Sequence, residues 1–205
     1  MTDHIIRDLA SLEALYGEVN EVSALKEISY LHPHYAAFIK ASPFAVLATA
    51  GDYGLDASPR GDPAGFIEIS DDRTLLIADR RGNNRIDSLR NIIADPRVAL
   101  LFLVPGIGES LRVNGTAEIS VDPELIARFS VKDKAPRSML IVHVESVFLQ
   151  CSRALIRSEL WNPARHLERS ALPSTGQMLA AVTDQRIDAD TYDRELPPRL
   201  KATLY

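Results

Sequence analysis

A mainly β fold, an antiparallel barrel with peripheral helices, is what this sequence predicts. Three observations lead there. Hydrophobic periodicity switches from helical to strand-like near residue 43. Six short stretches then carry strand patterns, most of them consecutive and separated by tight turns. The crossover helices that a parallel sheet needs are missing between most of them. Closing such a sheet into a barrel also removes its exposed edges.

The elements follow in order. Residues 4–16 set Ile5, Ile6, Leu9, Leu12 and Leu15 on one helical face, and Gly17 stops the helix. Residues 20–31 repeat the pattern with Val22, Leu25, Ile28 and Leu31. A third short helix is expected over Tyr35–Ala41. Phe44–Ala50 is the first strand, and Gly51-Asp52-Tyr53-Gly54 a turn. Leu55–Ser58 is extended. Gly65–Ile69 and Thr74–Ala78 are two more strands, and a helix is predicted over 84–93, stopping before Asp95-Pro96. Arg97–Val104 is continuously apolar and so central. Ser110–Ile119 alternates. Asp122-Pro123-Glu124 starts a helix with a cap and a proline in its first position. Ser138–Gln150 is a long strand. A short helix over Gln177–Val182 comes later, and Thr191–Tyr205, with Pro197-Pro198, reads as extended. The organisation predicted is a helical arm over 1–42, a barrel core over 43–150 and a C-terminal extension over 151–205.

Composition narrows the function classes. Hydrophobic residues make up 46% and charged residues 25% of the 205, as in an ordinary globular chain. A net charge of −5 gives no global attraction to nucleic acid or to an anionic membrane. No apolar run approaches the roughly 20 residues of a membrane span. A single cysteine, Cys151, excludes an internal disulfide and a cysteine-rich metal site. The opening MTDHIIRDLA lacks the basic and apolar regions of a secretory signal, so a cytoplasmic protein is expected.

The chemistry centres on Leu75–Arg90. A strand runs into a turn holding Arg80, Arg81, Gly82, Asn83, Asn84 and Arg85, and a helix follows. Backbone N–H groups of a first helical turn have no internal partner, and the helix dipole favours an anion there. Such a turn suits a phosphate, though glycine and asparagine also make ordinary turns and caps. No phosphate loop, dinucleotide turn, nucleophile elbow or HExxH motif is present. His32 and His34 flank a proline and are weak metal ligands, so no metal site is assigned. His143 reads as a hydrogen-bonded core or interface histidine, and Cys151 as a small buried residue without a base. What remains is a set of arginines at strand ends and turns: Arg60, Arg80, Arg81, Arg85, Arg112, Arg153 and Arg157. The arginine fork suits planar and phosphate-bearing ligands. Ser110 and Arg112 share one strand face by the period of two.

Four segments carry a resemblance: SPRGDPAGF (58–66), LLIADRRGNNRIDSLRNI (75–92), DPRVALLFLVPG (95–106) and ESLRVNGTAEI (109–119). In order and spacing they are similar to the pyridoxamine 5′-phosphate oxidase-like FMN-binding split-barrel family, in its bacterial branch. The resemblance spans roughly residues 30 to 165. It implies a six-stranded antiparallel split β-barrel, a homodimer, and FMN at the dimer interface. It places Ser58, Pro59 and Arg60 at the flavin, Ala78 and Asp79 near its ring, and Asn84-Arg85 where the family has an Arg-Lys pair for the phosphate. Arg60 or Arg81 would replace the missing charge. Ser110 or Arg112 would reach the ring or ribityl chain, and Trp161 would come from the second subunit.

The implied activity is that of an FMN-dependent oxidoreductase or reductase whose small-molecule substrate and electron donor, NADH or NADPH, are unassigned. The R-x-H motif of the vitamin oxidases is replaced by adjacent Arg165-His166, and Asp62-Pro63-Ala64 stands where a substrate-side lysine is expected. Both departures argue against pyridoxamine phosphate as the substrate. The alternatives left open are a flavin carrier or sensor without turnover, and a split barrel holding haem or a deazaflavin.

Overall fold

Alternating burial organises the sheet. In the computed structural model, which describes residues 4–52 and 54–205, the strands are β1 (Glu27–Ile28), β2 (Phe44–Gly51), β3 (Gly54–Gly61), β4 (Ile67–Asp71), β5 (Thr74–Asp79), β6 (Arg97–Leu103), β7 (Ser110–Ser120) and β8 (Ser138–Gln150). Tyr53 of the predicted turn, and the first three residues of the predicted arm, lie outside the described residues. All pairings are antiparallel, in the order β3-β2-β6-β7-β8-β5-β4. Leu47, Leu100, Phe102, Leu111, Val113, Leu140, Val142 and Val147 meet in one core, each at most 1% exposed.

The split is visible on β8. One of its edges carries β7 along residues 139–150. The other carries β5 along residues 138–143 and β1 at Val147 and Phe148. β5 breaks the alternation because both of its faces are covered. Leu75 and Ile77 enter the main core, whereas Leu76 and Ala78 pack with Met139 under Leu125, Ile126 and Phe129. The first two of these belong to α5 (Pro123–Arg128), whose cap is Asp122 as the sequence predicts.

α4 (Asp87–Ala94) lies against β2 and β3. Its Asn91 Nδ2 donates to Thr49 Oγ1 at 3.2 Å and to the Gly54 carbonyl at 2.9 Å, and Ile92 is buried. This helix starts three residues later than predicted. Asn84 and Ile86 take φ of 60° and 56°, in the left-handed region, so the helix cannot begin before Asp87. Asparagine tolerates that conformation, but a β-branched isoleucine there is an outlier that surrounding structure must hold.

Other differences have local causes. α1 (Leu9–Tyr16) opens on an Asp8 cap and buries none of its apolar face. The predicted second helix shrinks to α2 (Glu21–Leu25), because Glu27 and Ile28 pair with the free edge of β8. α3 (Pro33–Ala41) is present, with His32 Nδ1 accepting from the His34 N–H. Leu55–Ser58 belongs to an eight-residue edge strand. With β1 this gives eight strands among the described residues where the sequence suggested six. After α6 (Arg153–Ser158), α7 (Thr175–Val182) begins with a Ser174–Gln177 capping box. The final segment is a helix, α8 (Ala189–Ala202), and not extended chain. Asp188 caps it through the Thr191 N–H, and the good helix formers around Pro197 and Pro198 outweigh the two missing donors. Among the described residues, no helix is long and apolar enough to cross a membrane.

Candidate functional site

Three elements converge on one cleft of about 680 Å³: β3, the turn after β5, and the start of α4. On β3 the alternation turns Asp56, Ser58 and Arg60 inward, while Ala57 and Pro59 are on the exposed set. The turn places Arg81, Gly82, Asn83 and Asn84 on the opposite wall. Phe66, Ala78 and Leu89 add apolar lining.

A hydrogen-bonded chain crosses the cleft floor from β3 to α4. The Ser88 hydroxyl, in the first turn of α4, donates to Asp56 Oδ2 at 2.5 Å. Arg60 Nη2 donates to Ser88 Oγ at 3.2 Å, and Arg60 Nη1 lies 3.4 Å from Asp79 Oδ1. Arg60 and Asp79 have side chains only 19% and 18% exposed. Arg60 Nε is buried without an acceptor. Ile86 gives the first turn of α4 no side-chain cap, and the N–H groups ahead of Arg90, whose own N–H bonds the Ile86 carbonyl at 2.9 Å, are of the kind that suits an anion.

The electrostatics are mixed. Burial raises the Asp79 carboxyl above its ordinary pKa, against the opposing pull of Arg60 and then Arg137. Arg137 Nη1 donates to Asn84 Oδ1 at 3.0 Å and so braces the left-handed turn. Arg85 stands on the rim, 74% exposed, with Nε on Asp87 Oδ2 at 2.7 Å, and that hydrogen bond raises its pKa. Arg80 also lines the cleft, but its donors are engaged by the protein. Its Nε meets Asp62 Oδ2 at 3.2 Å and its Nη1 donates to the Phe129 carbonyl at 2.6 Å. Tyr205 donates its hydroxyl to the same Asp62 at 2.6 Å.

Ser58, Pro59, Arg60, Ala78, Asp79, Arg81, Asn84 and Arg85 all line this cleft. Ser110, Arg112 and Trp161 do not. Ser110 donates to Gln150 Oε1 at 3.0 Å, Arg112 lies over the Phe148 ring at 5.0 Å, and Trp161 Nε1 donates to the Ile107 carbonyl at 2.8 Å. Asp56, Ser88 and Arg137 are among the cleft residues that escaped the sequence reading. Asp56 could have been found, because it shares the period of Ser58 and Arg60. Ser88 sits on the face of α4 that its predicted start misplaced. Arg137 carries no sequence signal, since it reaches the cleft only because Ser138 pairs with Asp79.

Two expectations are corrected. His143 is not a core residue: its side chain is 49% exposed on the outer face of β8, 3.7 Å from Glu118. Cys151 is exposed, because β8 has ended one residue before it. The Arg153 backbone N–H holds its thiol below the ordinary pKa. Native protein is therefore expected to take up one equivalent of a thiol reagent without denaturant, and a thiol that reacts only after unfolding would contradict this exposure. Among the described residues, no group of three or more His, Cys, Asp or Glu could hold a metal ion.

Residues 31–151 match the sequence model of the family described as pyridoxamine 5′-phosphate oxidase. No curated protein matches the chain. Solved structures similar to it include HupZ from Group A Streptococcus, at 23% identity and a TM-score of 0.45, covering 55% of this chain and 88% of that one. General stress protein 26 of Bacillus anthracis matches at 16% identity and a TM-score of 0.43, over 56% and 89%. A Clostridium acetobutylicum protein related to general stress protein 26, of the pyridoxinephosphate oxidase family, matches at 13% identity and a TM-score of 0.44, over 58% and 86%.

Proposed function

We infer function from one premise: this chain belongs to the pyridoxamine 5′-phosphate oxidase family. Members of this family commonly bind flavin, and the family includes oxidoreductases. We propose that the chain is an FMN-binding flavoprotein, an FMN-dependent oxidoreductase or reductase, working as a homodimer. The observation that carries the reading is the convergence of Arg60 and the uncapped first turn of α4 in one cleft.

The residues present fit the group. A phosphate needs cationic and N–H donors, which Arg60, Arg85 and the α4 start offer. Arg60 holds an orphaned donor, Nε, that its protein neighbours do not satisfy. Phe66, Ala78 and Leu89 supply apolar lining for a flat ring system. The bound flavin supplies the redox chemistry. The chain's own part is to bind and orient it, to offset the phosphate charge with arginines, and to set the local charge through Asp79.

A homodimer is supported by apolar surface left uncovered in the single chain. Leu9, Leu15, Val22 and Leu25 are each 67% or more exposed. Trp161 is proposed to reach the flavin of the second subunit, whereas Ser110, buried and bonded to Gln150, and Arg112 lie outside the cleft of their own chain.

The test is the visible absorption spectrum of purified protein, followed by titration of apo-protein with FMN. Flavin bands, or tight saturable FMN binding, are expected. A colourless protein that does not bind added FMN would remove the flavoprotein reading. Reduction of the bound flavin by NADH or NADPH separates a reductase from a carrier or sensor.

A further inference from the structure

The geometry points to Ser88 and Asp56 as positioning residues that set the Arg60 guanidinium for the flavin phosphate, an inference that rests on the flavin reading above. Arginine has a long, flexible side chain, and holding it in one place costs conformational entropy. Here that cost is met before any ligand arrives. Asp56 Oδ2 accepts the hydrogen bond that the Ser88 hydroxyl donates at 2.5 Å, which leaves the Ser88 oxygen free to act as an acceptor. Arg60 Nη2 donates into that oxygen at 3.2 Å. Asp79, 3.4 Å away, holds the other arm of the fork.

The chain of bonds ties the arginine to α4 at its own N-terminus. Ser88 is the second residue of that helix and only 4% exposed, so its hydroxyl is a fixed point. An anion at the uncapped first turn therefore meets helix N–H groups and the Arg60 guanidinium together. Arg85, the residue the family pattern would favour, stands on the rim with Asp87 as its partner. Arg60 thus takes the role of the charge missing from the Arg-Lys pair, and Ser88 and Asp56 hold it there. Neither residue needs to touch the ligand.

The experiment titrates wild type, Ser88→Ala and Ser88→Thr with FMN and with riboflavin, which has no phosphate. Riboflavin also reports whether each variant keeps its fold. Ser88→Ala is expected to weaken FMN binding about tenfold, the scale of one hydrogen bond to a charged group, with riboflavin binding unchanged. Ser88→Thr restores the hydroxyl and should recover most of the loss. Equal losses for both flavins, or an unchanged FMN affinity, overturn the positioning role. So does a failure of the threonine variant to recover while its riboflavin affinity stays normal. If wild type binds neither flavin, the flavin reading falls, and the unliganded protein still decides the hydrogen-bond chain. The Arg60 Nε–H resonance should be that of an immobilised side chain in wild type and motionally averaged in Ser88→Ala. An Arg60 signal indifferent to the alanine overturns the inference.

Discussion

Gly115→Ala is expected to destabilise the fold by about 3 kcal/mol or more, the upper range for forcing atoms into a packed interior. β7 and β8 form the longest ladder of the sheet, and its register shifts between Asn114 and Gly115. At this bulge the β8 backbone crosses close over the glycine. A Cβ on Gly115 would stand 1.9 Å from the His143 carbonyl oxygen and 2.9 Å from its carbon. Those are backbone atoms of a central strand, so no side-chain rotation relieves the clash. Either the ladder opens or the bulge moves, and both disturb Val113 and Val144, which flank the site in the core. Urea unfolding measures the effect: the midpoint should fall with the slope unchanged. A midpoint equal to that of wild type would show that the bulge adapts and that the close approach is not a constraint.

The same glycine shows how much of the fold the sequence carried. Its motif, LRVNG, was recognisable, but the need for glycine was not, because the clash partner lies 28 positions away and depends on the pairing register. The central strands were legible by two signals: β7 alternates with the period of two, and β6 is a continuous apolar run. β1 was not, since two residues carry no period and only the free edge of β8 makes them a strand. α8 was misread because two adjacent prolines outweighed a good cap and good helix formers.

The cleft was legible for a different reason. Its strand, turn and helix are contiguous in sequence, so Ala78, Asp79, Arg81, Asn84 and Arg85 came as one block. Arg60 joined them through the family pattern, as β3 folds back beside α4. Arg137 could not be seen, since strand pairing alone delivers it. The helix start was placed too early because a left-handed Ile86 has no signature in the sequence. That error matters chemically. Moving the start to Asp87 brings Ser88 into the first turn, and so places Arg60 at the helix N-terminus.

Arg60→Ala should therefore weaken FMN binding more than any other single truncation in the cleft, by about 1.5–3 kcal/mol, or roughly 10- to 150-fold. Two effects combine. The phosphate loses a preorganised charged donor, and Asp79 loses the cation that pulls hardest on it. Burial already raises the Asp79 pKa, so removing Arg60 moves it further up. The sign of the pH dependence follows. A carboxyl whose folded pKa lies above its unfolded value binds a proton more tightly in the folded chain. Its contribution is then most favourable at low pH, and it declines as pH rises from the ordinary carboxylate range through the folded pKa. In Arg60→Ala that decline extends to higher pH than in wild type. Residual FMN affinity should be strongest where Asp79 is protonated and should fall as the carboxylate forms beside the phosphate. FMN titrations of both proteins across the acid-to-neutral range check this. A variant whose affinity loss is the same at every pH would detach Asp79 from the site. A variant that binds FMN as tightly as wild type would move the phosphate away from Arg60 altogether.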